Sequence, residues 1–152
     1  AQAGKRAPLW SRGLGDVYKR QKYELLLQKR ASSKYHSGGL WTNTCCSHPR
    51  QDEDILDAAN RRLIEEMGIE TSLRKVYEFT YKAELDNDLT EHEFDHVFYG
   101  VYNEDPEINP DEADDFKWID MDSLYEDIKK NGDIYTVWFK IAFEYFYNYL
   151  KK

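Results

Sequence analysis

Glu53-Asp54-Ile55-Leu56-Asp57-Ala58-Ala59-Asn60-Arg61-Arg62-Leu63-Ile64-Glu65-Glu66-Met67-Gly68-Ile69 reads as one helix with both ends marked. Ile55, Leu56, Ala59, Leu63 and Met67 recur at the spacing that stacks side chains on a single helical face. Acidic residues crowd the first turn, where the positive end of the helix dipole favours them. The helix is therefore expected to open at Asp52 or Glu53 and to run to about Met67. Gly68 suits the left-handed residue that ends many helices. The Glu65-Glu66 pair near that end is either a working pair of carboxylates or a solvated face.

Just upstream, Gly38-Gly39-Leu40-Trp41-Thr42-Asn43-Thr44-Cys45-Cys46-Ser47-His48-Pro49 brings a thiol and an imidazole into a run of strand-forming residues. Trp41 to Cys46 is expected to be extended. Thr42, Thr44, Cys46 and His48 would then share one face, and Trp41, Asn43 and Cys45 the other. A thiol two residues from an imidazole suits acid/base work or metal ligation. A buried strand with two core cysteines is the plainer reading.

Further out, Tyr23 to Lys29 reads as a mostly buried strand, followed by a polar loop from Arg30 to Gly39. Val76 to Glu84 alternates, Asp86-Asn87-Asp88 signals a turn, and Glu91 to Tyr102 reads as the returning antiparallel strand. Glu104 to Asp115 is an acidic loop expected to be solvated. Phe116 to Ile119 is a short strand. Asp122 to Lys130 is a short helix capped by Asp120 or Asp122. Thr136 caps a last helix through Leu150, whose apolar stripe is Trp138, Ile141, Ala142, Tyr145, Phe146 and Tyr149. Glu91 and Glu93 share a strand face that could bind metal or form an exposed acidic edge. His92 and His96, on the other face, are expected to be structural, and His36 has no evident partner. Strands interleaved with helices imply a mixed sheet covered on both sides.

Residues 1–21 lack either periodicity and are basic, whereas the rest is acidic. They read as a disordered or artefactual leader, leaving 22–152 as one domain. The 152 residues are 41% hydrophobic and 15% aromatic, enough for a packed core. The net charge of −8 argues against nucleic acid and anionic membranes as partners. No apolar run approaches the roughly 20 residues of a membrane span. Two adjacent cysteines argue against a disulfide framework and point to a reducing, cytoplasmic setting.

Glu53, Arg61, Leu63, Glu65, Glu66, Gly68 and Ile69 fall in register with G-x5-E-x7-R-E-U-x-E-E-x-G-U (U aliphatic), and the stretch resembles the Nudix box. In that box, carboxylates near the helix end hold Mg²⁺, and Mg²⁺ grips a diphosphate. Ser47 stands at the glycine position, and Arg62 replaces a metal-binding Glu. One carboxylate is lost, and a cation able to pair bidentately with phosphate oxygens is gained. A diphosphate bound without cleavage is expected.

Ser37 to Pro49, Glu91-His92-Glu93, Trp118 and Trp138-Phe139-Lys140-Ile141 together are similar to the type I isopentenyl-diphosphate isomerases, a branch of the Nudix superfamily. The similarity covers about residues 22–150. It implies an α/β (α+β) fold, a Nudix-like mixed β-sheet sandwiched between α-helices. It also implies interconversion of isopentenyl and dimethylallyl diphosphate through a tertiary carbocation. Cys46 and Glu93 would be the acid/base groups, with Tyr81 assisting Glu93. His48, Glu91 and Glu93 would hold a divalent metal (Mn²⁺, Mg²⁺ or Zn²⁺). Glu66 would hold the diphosphate-bound Mg²⁺. Arg30, Lys34 and Arg62 would contact the diphosphate, and Trp138 its hydrocarbon end. The implied partner is a small isoprenoid diphosphate, met by a monomer. A Nudix hydrolase of a diphosphate-linked substrate and a non-catalytic diphosphate-binding module are the alternatives.

The resemblance also implies two further metal-ligand histidines from an N-terminal segment. Residues 1–21 contain none, and Gly4 and Ser11 stand near the expected places. Weak metal binding and reduced activity are expected of this chain.

Overall fold

The structure, a computed structural model, describes residues 24–46, 48–84 and 88–150; at 76, 77, 79, 81, 83, 91–95, 149 and 150 it describes the backbone alone. The leader over 1–21, Ser47 of the box and Asp86-Asn87 of the expected turn lie outside the described residues. In chain order the elements are β1 (Glu24–Arg30), β2 (Trp41–Thr42), α1 (Ile55–Met67), β3 (Arg74–Glu84), β4 (Thr90–Tyr99), β5 (Ala113–Asp120), α2 (Met121–Lys130), a 3₁₀ turn (Gly132–Ile134) and α3 (Val137–Leu150). One sheet has the order β2-β1-β5, with β1 antiparallel to both neighbours. The second is the antiparallel pair β3-β4, the partnership expected across residues 86–88. An isolated parallel bridge links Trp41 to Tyr135.

Three leucines of β1 set the layering. Leu25, Leu26 and Leu27 are all buried, and strand alternation sends them to opposite sides. Leu26 packs with Leu63 and Met67 of α1. Leu25 and Leu27 pack with Leu124 of α2 and with Phe139 and Phe143 of α3. The β3-β4 sheet is divided in the same way: Phe98 meets Ala59 of α1, and Val97 joins the α3 cluster. Sheets between α1 and the α2–α3 pair give the expected α+β sandwich. Each fully buried leucine contributes about 1.5–3 kcal/mol, so a charge at Leu26 would split α1 from the sheet.

The ends of α1 follow from local chemistry. Asp54 caps it, accepting from the Leu56 amide at 3.1 Å. The helix starts at Ile55, later than expected, because Glu53 is engaged elsewhere, accepting from the Arg50 amide at 2.9 Å. Gly68 ends the helix at φ 64°, and its amide donates to the Ile64 carbonyl. A Cβ there would stand 2.9 Å from the Glu107 carbonyl oxygen, so glycine is required twice over.

Four expectations are corrected. The extended run ends at Thr42, not Cys46. On α3, Tyr145 is 53% exposed, while Phe139, Phe143 and Tyr147 are buried. The buried face is turned because α2 covers it: Tyr125 stacks on Tyr147 with centroids 4.6 Å apart. The acidic loop is not simply solvated. The Glu107 amide donates to the Met67 carbonyl and the Asn109 amide to the Glu66 carbonyl, both at 2.9 Å. Strand β5 then begins at Ala113 rather than Phe116.

Candidate functional site

The cysteine loop is shaped by Asn43. Its Nδ2 donates to the Cys45 carbonyl at 2.6 Å, which turns the chain out of the strand. The same amide lies 3.2 Å from Cys46 Sγ, and that thiol can donate back to Asn43 Oδ1 at 3.3 Å. Thr44 Oγ1 donates to the Leu26 carbonyl and fastens the loop to β1. The strand-face grouping of Thr42, Thr44, Cys46 and His48 is therefore corrected, since residues beyond Thr42 do not alternate. Cys45 is fully buried in the α1 cluster, whereas Cys46 is half-buried against the α3 cluster. Both are free thiols. Burial first, then the neighbouring Glu66 carboxylate, pushes the Cys45 thiol far up. Cys45 is thus a protonated core residue, and Cys46 is the accessible thiol.

Beside this loop stands a cluster of charges. The carboxylate of Glu66, 6% exposed, accepts from Gln28 Nε2 at 3.0 Å and closely from Arg62 Nη2. The same Gln28 nitrogen donates to the Thr44 carbonyl at 2.9 Å. One buried amide therefore joins the cysteine loop to the box. Arg62 also donates to Glu65 Oε1 at 2.7 Å, and its Nη2 lies 3.2 Å from Glu112 Oε1. Lys34 Nζ makes a close contact with that same Glu112 oxygen. Burial pushes the Glu66 carboxyl up, and Arg62 and Gln28 offset only part of this. Burial works on Glu112 in the same sense and is the largest single influence, but the bond and charge of Lys34 together with those of Arg62 outweigh it and hold its carboxyl below the usual range. Box residues Glu53 and Arg61 pair bidentately at 2.9 Å, which lowers Glu53 to about 2.

Arg30 and Trp138 also meet. The guanidinium carbon lies 5.2 Å from the indole centroid, and Arg30 Nη2 donates to the His36 carbonyl at 3.2 Å. His36 has a partner after all, its ring standing edge-on to Trp138 at 5.8 Å. A Cβ on Gly38 would meet the Ser32 carbonyl at 2.8 Å, so glycine closes this loop. His96 is buried, with Nδ1 3.3 Å from Glu78, in keeping with a structural role. The β3-β4 register sets Tyr81 directly opposite Glu93, and Ala83 opposite Glu91. His48 is exposed on the way into α1. Among the described residues, no group of three or more His, Cys, Asp or Glu side chains could hold a metal. The side chains of Glu91 and Glu93 are not among those described.

The structure thus joins Lys34, Arg62 and Glu66 in one cluster and Arg30 with Trp138 in another. Three members were missed in the sequence: Gln28, Asn43 and Glu112. Gln28 carried a signal, being a polar residue in a strand otherwise read as buried.

A family profile described as NUDIX domain matches residues 14–139. The solved MutT protein from Methanosarcina mazei Go1 superposes with a TM-score of 0.70 over 100% of this chain and 99% of that one, at 16% identity, a likeness of fold alone. Fold and box together define a Nudix-domain protein. Within 114 residues the chain is 54% identical to isopentenyl-diphosphate Delta-isomerase 2 of Aromatoleum aromaticum, covering 75% of this chain but only 60% of that protein. It is 47% identical over 146 residues to isopentenyl-diphosphate Delta-isomerase 2 of Photorhabdus laumondii subsp. laumondii, covering 88% of this chain and 82% of that one. The chain belongs to the isopentenyl-diphosphate Delta-isomerases, the enzyme family that its sequence resembles. Enzymes of this family generally use divalent metal ions.

Proposed function

We propose that residues 22–152 interconvert isopentenyl and dimethylallyl diphosphate in the cytoplasm, by adding a proton to one carbon and removing one from another. The observation that carries this reading is the Gln28 joint. By bonding both the Thr44 carbonyl and Glu66, it fixes the Cys46 loop against the charged end of the box. An anion grip and an acid/base thiol then form one rigid unit.

An alkene is a very weak base, so its protonation needs an acid held in place and a neighbouring group that stabilises the cation. Cys46, oriented by Asn43, is one proton carrier. Glu93 is the other, with Tyr81 facing it across the strand pair. Proton transfer by positioned groups of this kind contributes about 10²–10⁴-fold. Trp138 offers an indole face without a nucleophile to trap the cation, and it already attracts the Arg30 guanidinium. Arg30, Lys34 and Arg62 hold the diphosphate of an otherwise acidic protein.

The donor chemistry fits the expected metals. Glu66 presents buried carboxylate oxygens, the hard donors Mg²⁺ takes, and His48, Glu91 and Glu93 offer an N,O set. Bound there, the ions would neutralise phosphate charge and stabilise charge at the carboxylates.

Incubation with isopentenyl diphosphate and Mg²⁺, followed by proton NMR, should show the dimethylallyl isomer. Phosphate release from nucleoside diphosphate derivatives without isomerisation would support the hydrolase instead. That reading is disfavoured by Arg62, which fills a hydrolase carboxylate position and is already paired with Glu66.

A further inference from the structure

We propose that Glu112 is an internal anion that competes with the diphosphate for Lys34 and Arg62, and so sets how tightly the head-group is held. This rests on the reading that these two cations contact the diphosphate. A single oxygen, Glu112 Oε1, contacts both Lys34 Nζ and Arg62 Nη2. Two cations converging on one anionic oxygen is how a phosphate oxygen would be gripped. The carboxylate is not there by accident of a floppy chain. The Glu112 carbonyl accepts from the Ala31 amide at 3.1 Å, and its own amide donates to the Asn109 carbonyl at 2.9 Å. The adjoining Asp114 carboxylate accepts from the Ser32 amide at 3.1 Å. The segment is thereby stitched to the loop that carries Lys34.

The charge balance gives the sign of the effect. Around Lys34 and Arg62 lie Glu65, Glu66 and Glu112; Glu65 is shared with Arg61, whereas Glu112 is held between Lys34 and Arg62 themselves. A phosphate oxygen on the same cations would sit within a few ångströms of Glu112. Two like charges about 4 Å apart repel by a factor of about fivefold in affinity even at the dielectric of water, and by more at a half-buried site. Against this, Glu112 restrains the Lys34 side chain, which favours binding by reducing the ordering still to be done. That benefit covers only part of one side chain, so repulsion wins.

The arrangement has a use. Substrate and product of an isomerase carry the same diphosphate. Grip on that group stabilises the ground state and the transition state alike, so it slows release without speeding chemistry. An internal anion loosens the grip.

The test is calorimetric titration of the full chain with inorganic pyrophosphate and Mg²⁺. Glu112→Gln keeps the shape and removes the charge, and should bind pyrophosphate about fivefold tighter or better. Glu112→Ala should tighten it too, and carries the test if the first variant fails to fold. Unchanged or weaker binding in the folded variant overturns the proposal. Lys34→Ala serves as the separate control. If it leaves pyrophosphate binding unchanged, the underlying reading of the cations fails, whatever Glu112 does.

Discussion

Replacing Gln28 with methionine should cost this fold about 3 kcal/mol. The side chain is 3% exposed and has two oxygen acceptors, the Thr44 carbonyl and the Glu66 carboxylate. Methionine has a similar volume but donates nothing. A hydrogen bond to a charged group is worth about 1.5–3 kcal/mol and one to a neutral carbonyl about 0.5–1.5 kcal/mol. For a domain of this size the expected loss lowers Tm by about 6–12 °C. Urea unfolding should show a lower midpoint with an unchanged slope. The effect should also depend on pH. The Glu66 carboxyl is raised above its ordinary 4.5, so the fold holds its proton more tightly than the unfolded chain does. Stability linked to such a group is fully present below pH 4.5 and is lost as pH rises through the folded value. Without the Gln28 amide that value rises further, so the gap between variant and wild type should widen from pH 4 towards neutrality. A loss below about 1 kcal/mol at pH 7, or a gap that narrows with rising pH, would refute the joint between the cysteine loop and the box.

Asn43→Ala removes the donor to the Cys45 carbonyl and the partner of the Cys46 thiol. It should cost about 1–3 kcal/mol, and steady-state kinetics should show a larger fall in kcat than rise in KM. Arg61→Ala removes the chief cause of the low Glu53 pKa, about 2 in the fold. A lowered carboxyl contributes stability above pH 4.5 that is lost as pH falls towards 2, so this variant should flatten the acid limb of the unfolding curve in that window. Carboxyl NMR titration should show its Glu53 moved up from about 2 towards the ordinary value, with the Arg50 amide bond still holding it below. Titration of the chain with Mn²⁺ should show weak binding, since no histidine precedes His36. Stoichiometric binding at micromolar metal would contradict that.

What could be read from the sequence was whatever local chemistry determines. The C-terminal limit of α1 follows from Gly68, while its start, read at Asp52 or Glu53, falls at Ile55 behind the Asp54 cap; β3 and β4 follow from their alternation across residues 86–88. The layering of β1 was foreseeable in kind, because three consecutive leucines need cover on both faces. The misreadings came from side-chain partners, near or far, that periodicity does not report. Extended backbone ended at Thr42 because the Asn43 side chain competes for the Cys45 carbonyl, and no strand pattern reports that. Glu112 looked like solvated loop charge because its partner Lys34 lies 78 residues away. The α3 stripe was turned towards Tyr147 by stacking from Tyr125, a residue of another helix. Of the candidate site, the box residues and Cys46 were recognisable by motif. The residues that hold them act through side-chain bonds: Gln28 stood out only as a polar residue in a buried strand, and Asn43 carried no signature.

The most direct test runs the reaction on isopentenyl diphosphate in D₂O with Mg²⁺, for the wild type, Cys46→Ala and Glu93→Gln. The wild type should place deuterium in the hydrocarbon of the dimethylallyl isomer, and each variant should do so at least about 100-fold more slowly. Deuterium entering at the wild-type rate without the Cys46 sulfur, or none entering with it, would contradict a proton relay built on this loop.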